Sequence, residues 1–169
     1  SRSGMKIKRR DATFFMAGGI GLTMIGEFKF TGDDPIPTFA SREKLAKAER
    51  RLLQEGQAVR LLGHQNGGDF SFVRDASSEL ACIPPQLRAK QTMFVPVCGD
   101  ETGRSGAWAR LVKKDIRPEW YGSGRRDVDD SLALQAAFDE IGRIGRRVVL
   151  SGQYLISRRV EIVGKRGFE

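Results

Sequence analysis

The chain has 169 residues, 40% of them hydrophobic and 30% charged, and Lys+Arg 29 against Asp+Glu 21 gives a formal net charge of +8. That length suits one ordinary domain or two small ones, and the composition excludes wholesale disorder. A single histidine and two cysteines exclude a multi-ligand zinc centre or a disulfide framework, while the basic excess favours acidic partners.

The first segment, residues 1–32, has a basic head (Arg2, Lys6, Lys8, Arg9, Arg10) and then an apolar run carrying Phe14, Phe15, Met16, Ile20, Leu22, Met24 and Ile25. Its uncharged stretch, residues 12–26, rises about 1.5 Å per residue as a helix and falls short of a hydrocarbon core of about 30 Å, so no stable membrane span is expected. Asp33-Asp34-Pro35-Ile36-Pro37 reads as a linker, because two prolines cannot continue a helix.

Residues 38–114 read as a small α+β unit. Ser41 is a candidate cap for a helix over 42–55, with Leu45, Ala48, Leu52 and Leu53 on one face and Gly56 as the stop. Strands are expected over 58–62, 70–74, 93–97 and 107–112. Turn signals lie between them at Asn66-Gly67-Gly68-Asp69 and at residues 99–103. Alternation in Phe70-Ser71-Phe72 and in Trp108-Ala109-Arg110-Leu111 predicts a sheet with one wet face.

From Ile116 a connector, residues 117–122, leads to Asp129-Asp130-Ser131 and a helical pattern. Leu134, Phe138 and Ile141 recur at i, i+4 and i+7 and predict one buried stripe, with Gly142 and Gly145 ending the helix. Asp129 and Asp130 stand where a helix start favours acids. Three short β runs follow, over 147–150, 154–157 and 160–163.

No residue set carries a catalytic, cofactor or metal assignment. His64 lacks a second ligand at metal spacing and reads as a turn residue, and Cys82 and Cys98 read as buried free thiols. Neighbouring positions on a helix point in different directions, so Asp129-Asp130 are read as capping acids rather than a catalytic pair. Gly18-Gly19-Ile20-Gly21 lacks the Lys-Ser/Thr of a phosphate loop. Arginine pairs recur in every segment without one aromatic-lined stripe, so a solvated basic surface is expected and no nucleic-acid partner. Trp108 and Trp120 are read as core plugs in preference to sugar-stacking platforms.

The string from Trp120 to Ser157 resembles the opening of the pectate-lyase-like right-handed parallel β-helix family. The carrying residues are Trp120-Tyr121-Gly122, then Asp129-Asp130-Ser131 with Leu134-Gln135, then Val149-Leu150-Ser151-Gly152-Gln153-Tyr154-Leu155-Ile156. It departs from the family pattern at Gly122-Ser123-Gly124-Arg125-Arg126 and in having Ser151 where proline is usual. Upstream, Val59, Leu62-Gly63, Gly67-Gly68-Asp69-Phe70-Ser71-Phe72 and Gly103 with Gly106-Ala107-Trp108-Ala109-Arg110 resemble the domain that precedes the β-helix in phage tailspikes.

The resemblance implies a homotrimeric spike whose β-helix recognises, and often cleaves, host surface polysaccharide, with an N-terminal region fastened to a virion structural protein. A solenoid's first rung exposes a raw edge and an open core, and an amphipathic helix is the simplest lid for it. Asp129, Asp130, Leu134, Phe138 and Ile141 are the expected cap. Residues 147–169 leave room for roughly one rung where stacked folds need about three, so any lyase or hydrolase chemistry and the glycan groove are expected beyond Glu169.

The expected architecture is therefore α+β in three parts: an attachment segment and linker (1–37), a small α+β connecting domain (38–115), and a capping helix with the start of a parallel β-helix (116–169). Phe14, Phe15, Met16, Ile20, Leu22, Met24 and Ile25 would hold the spike to the particle; burial of such side chains contributes about 1.5–3 kcal/mol each. The alternative is that Arg9-Arg10 and the apolar run form a twin-arginine export signal ending near Ala40. The protein would then be a periplasmic or secreted bacterial polysaccharide-degrading enzyme.

Overall fold

A computed structural model describes residues 35–125, 127–144 and 147–162. Chain order gives β1 (Thr38–Phe39), α1 (Arg42–Ala46), β2 (Ala58–Leu61), β3 (Gly68–Val73), α2 (Ser77–Cys82), α3 (Pro85–Arg88), β4 (Phe94–Pro96), β5 (Ala107–Arg110), β6 (Asp115–Ile116), α4 (Ser131–Ile144) and β7 (Arg147–Val148). The fold is mixed α/β, with a five-stranded sheet in the order β1-β2-β3-β5-β4 and a separate pair, β6-β7.

Ser41 caps α1 as its sequence position predicts, its Oγ accepting from the Lys44 N–H at 3.2 Å. The helix expected over 42–55 is cut short after Ala46, and a single 3-10 turn, Arg50–Leu52, follows. The Ala46 carbonyl accepts from the Cys98 N–H at 2.8 Å, so the group needed for another α-helical turn is already bonded to the segment after β4. Leu45 and Leu52 are still buried together.

The strands fall close to their predicted positions. β2 and β3 form an antiparallel hairpin pairing Val59 with Phe70 and Leu61 with Gly68. Gly67 closes it under a steric constraint, since a Cβ there would lie 2.3 Å from the Gly63 carbonyl oxygen. β3 then pairs with β5, placing Phe70 opposite Arg110 and Phe72 opposite Trp108.

The wet-face expectation does not hold for this sheet. Val59, Phe70, Phe72, Val95 and Trp108 share one cluster with Leu45 and Leu52, whereas Val73, Phe94 and Ala107 join a second with Leu80, Leu87, Ile116, Tyr121, Ala133 and Ala137. Both faces of the β3-β5-β4 half are covered. The second cover comes from α2, α3 and α4, and its cluster runs without a break past Asp115 and Ile116. Neither α2 nor α3 was predicted; at 6 and 4 residues they are too short to show a helical period.

β6 pairs with β7 in parallel, Asp115 with Arg147 and Ile116 with Val148, and an isolated parallel bridge joins Asp129 to Leu155. α4 lies between the partners of β6-β7. It runs through Gly142 rather than ending there. The β runs expected over 154–157 and 160–163 form no further named strand among the described residues.

Candidate functional site

The connector and the start of α4 form a row of acceptors that grips the returning chain. Pro118 opens a 3-10 turn, Pro118–Tyr121, in which its fixed φ suits the first position. Gly122 ends that turn in the left-handed region at φ +92°, and the chain then doubles back to Asp129.

Asp130 is 2% exposed. Its carbonyl accepts the Leu134 N–H at 2.9 Å and so begins α4, but its carboxylate does not cap the helix in the usual way. One carboxylate oxygen accepts the Gly124 N–H at 3.0 Å and the other the Leu155 N–H at 3.0 Å, while the Asp130 N–H donates to the Leu155 carbonyl at 2.7 Å. Asp130 thus ties the connector, the helix start and the 154–158 segment together.

Asp129 is exposed and serves the next residues along. Its Oδ1 accepts the Ser131 N–H at 3.0 Å, and its Oδ2 the Ser157 hydroxyl at 2.6 Å. Hydrogen bonds from the Ser131 and Ser157 side chains hold its carboxyl well below the usual range. Ser131 Oγ in turn accepts the backbone N–H groups of Ser157 and Arg158, each at 3.1 Å.

Three more contacts extend the grip. Glu119, 4% exposed, accepts the Tyr154 hydroxyl at 2.7 Å, and the Tyr154 oxygen accepts the Ser151 N–H at 3.1 Å. Gln135 brackets Glu161, accepting its N–H at 2.8 Å and donating to its carbonyl at 2.9 Å. The amide pair does there what a strand partner would do.

Of the predicted cap residues, Asp129, Asp130 and Leu134 come together as expected, with Leu134 buried. Phe138 and Ile141 are only half-buried. The stripe facing the main core is instead Ala133 and Ala137, small residues that pack in one cluster with Tyr121 and Ile116, and Glu140 is buried on the same helix. Glu119, Ser131, Gln135 and Tyr154 were missed as contact residues. The last three lie within the motif string, but spacing alone does not say that side chains replace a ladder. Leu150, Leu155, Ile156 and Ile162 are more than half exposed.

The attachment residues Phe14, Phe15, Met16, Ile20, Leu22, Met24 and Ile25 lie outside the described residues. Trp108 is fully buried, edge-on to Phe72 with ring centroids 5.1 Å apart. Trp120 is half-buried against the Arg110 guanidinium, 4.5 Å from the ring centroid, so it is engaged within the fold. Cys82 and Cys98 are free, as expected, but exposed rather than buried, one at the end of α2 and the other just after β4. His64 stands exposed in the turn after β2. Among the described residues no His/Cys/Asp/Glu group could hold a metal ion, and no helix is long and apolar enough to cross a membrane.

The described chain is thus a mixed α/β unit leading into a helix that clamps a parallel return. No protein-family model matches it, and no curated protein does. Among solved structures it is similar to the enzymatically active domain of tailspike protein 2 from bacteriophage CBA120, with TM-score 0.43 and 19% identity over 62% of this chain and 14% of that one. The full-length tailspike protein 2 of an Escherichia coli O157:H7 bacteriophage gives TM-score 0.43 and 19% identity over 62% of this chain and 13% of that chain. The alignment therefore spans a small fraction of either phage chain.

Proposed function

We propose that the chain is a subunit of a virion spike, in which the mixed α/β unit mounts a right-handed parallel β-helix on a phage or phage-like particle. The observation that carries this reading is the parallel return through α4. β6 pairs with β7 and Asp129 with Leu155, both in parallel, and side chains from the helix start hold the returning segment in place. A parallel strand pair needs such a crossover, and a solenoid's first rung needs a lid on its open end. The motif string from Trp120 to Ser157 supports the same assignment.

On this reading Asp129, Asp130, Leu134, Phe138 and Ile141 cap the first rung, and the half-exposed Phe138 and Ile141 complete their burial against it. Phe14, Phe15, Met16, Ile20, Leu22, Met24 and Ile25 fasten the subunit to a virion structural protein. Three subunits assemble about one axis, and host surface polysaccharide is bound by further rungs. The test is particle incorporation. Replacing Phe14, Phe15 and Ile20 by Asp should release the spike from particles while leaving the purified protein folded and trimeric. Normal incorporation, or a monomeric mass for the unmodified protein, would overturn the proposal.

A further inference from the structure

A concave wall beside the α4 clamp lies between the turn after β2, the start of α1, the loop joining α3 to β4 and Arg125 of the connector. It encloses about 630 Å³ and is lined by Arg42, Lys90, Arg125 and His64, with Glu43 the one acid on the lining. Small-molecule sites commonly enclose about 300–1,000 Å³.

None of Arg42, Lys90 and Arg125 has a carboxylate within 4.0 Å among the described residues, whose ion pairs use other basic groups. Arg42 is set in place by backbone acceptors. Its Nε donates to the Gln91 carbonyl at 2.8 Å and its Nη2 to the Arg88 carbonyl at 3.0 Å. Neither bond neutralises its charge, and burial pulls its pKa below the usual guanidinium value.

The Lys90 stem and the turn after β2 are held as well. The Lys90 stem lies over Gly122, where a Cβ would come 3.0 Å from its Cγ and Cδ. From beneath, Arg110 donates to the carbonyls of Asn66 and Gly67 at 2.6 and 2.7 Å and holds the turn that carries His64 and Gln65. Gln65 and Asn66 add amide donors to the lining. Among the described residues no Phe, Tyr or Trp lines the space, so it lacks the large rings on which a sugar face stacks.

We propose that this cavity binds a small, multiply charged oxyanion, a polycarboxylate or a phosphate, with Arg42, Lys90 and Arg125 supplying the charge. A cation already held in place, as Arg42 is, loses little freedom on binding, and charge-assisted hydrogen bonds to oxyanions are the strong ones. The site does not depend on the spike reading, because none of its lining residues is among those assigned to the cap or to particle attachment.

The experiment titrates citrate and inorganic phosphate separately into the full chain, followed by calorimetry and by amide shifts at His64, Asn66 and Lys90, with sucrose as a neutral control. The expected result is one saturable site for at least one anion, weakened at least about tenfold in the Lys90→Gln, Arg125→Gln variant and weakened by added salt. An Arg50→Gln, Arg104→Gln variant removes the same charge elsewhere and should bind within about twofold of the parent. Preference for citrate identifies a carboxylate ligand, and preference for phosphate a phosphate ligand. Non-saturating shifts for both anions up to about 10 mM, or equal weakening in the two variants, would overturn the proposal.

Discussion

Replacing Asp130 by Ala removes one buried carboxylate and the acceptors of two backbone donors. Gly124 and Leu155 each donate to it at 3.0 Å. A hydrogen bond to a charged group contributes about 1.5–3 kcal/mol, but a donor that gains access to water recovers part of that. Leu155 is 55% exposed, so its N–H can be rehydrated, whereas Gly124 is held inside the connector turn. The expected destabilisation is about 2–4 kcal/mol for Asp130→Ala. Asp130→Asn keeps the volume and one acceptor, and should fall about midway. Urea unfolding gives the total, and amide exchange at Leu155 and Gly124 shows where it arises. A loss below about 1 kcal/mol together with unchanged exchange at Leu155 would refute the clamp.

Acid should loosen the same region through Asp129. Its folded pKa is depressed by bonds from Ser131 and Ser157, so the contribution is complete above the unfolded value of about 3.9 and is lost as pH falls from there through the folded value. Ser157 amide protection should drop below about pH 4, and a flat profile down to about pH 2 would contradict the assignment. Arg110→Lys should destabilise by about 2–4 kcal/mol in thermal or urea unfolding, because an ammonium cannot serve the carbonyls of Asn66, Gly67 and Thr92 at once; a loss under about 1 kcal/mol would refute that. Arg9-Arg10→Lys-Lys in a reporter fusion separates the two N-terminal readings. Unchanged localisation agrees with the spike, and blocked translocation would establish twin-arginine export instead.

The strands were legible because their signals are local. Phe70-Ser71-Phe72 alternates, and Asn66-Gly67 marks the turn before it. α1 was misjudged because its end depends on Cys98, far along the chain, taking the Ala46 carbonyl. The burial of Arg110 was equally unreadable. An arginine in a strand predicts a wet face, yet this one is 4% exposed, its guanidinium 4.7 Å from the Phe70 ring centroid and bonded to neutral acceptors alone. Burial without a counter-charge lowers its pKa to about 9. At the cap, the motif placed Asp129 and Asp130 correctly at a helix start. It could not show that their carboxylates reach onward to residues 155 and 157, because that requires the chain to return in parallel.

These details make the segment between β5 and α4 a joint rather than a tether. At its near end Arg110 stacks on Trp120, and the Trp120 carbonyl accepts the Thr92 N–H at 2.6 Å, which fastens the connector to the strand edge beside β4. One residue earlier, Glu119 holds Tyr154, and eleven residues on, Asp130 holds Leu155. The connector thus touches the five-stranded sheet through Trp120 and the returning segment through Glu119 and Asp130, and one hydrophobic cluster contains Phe94 and Ala107 of the sheet with Ile116, Tyr121 and Ala137. A flexible linker would let a mounted element swivel. Swinging the connector away from the five-stranded sheet would break the Arg110–Trp120 stack, and the stretch carries a buried cation and two buried carboxylates, Arg110, Glu119 and Asp130. Such groups are costly in a passive linker, and they are what the proposed mounting of a projecting element would require.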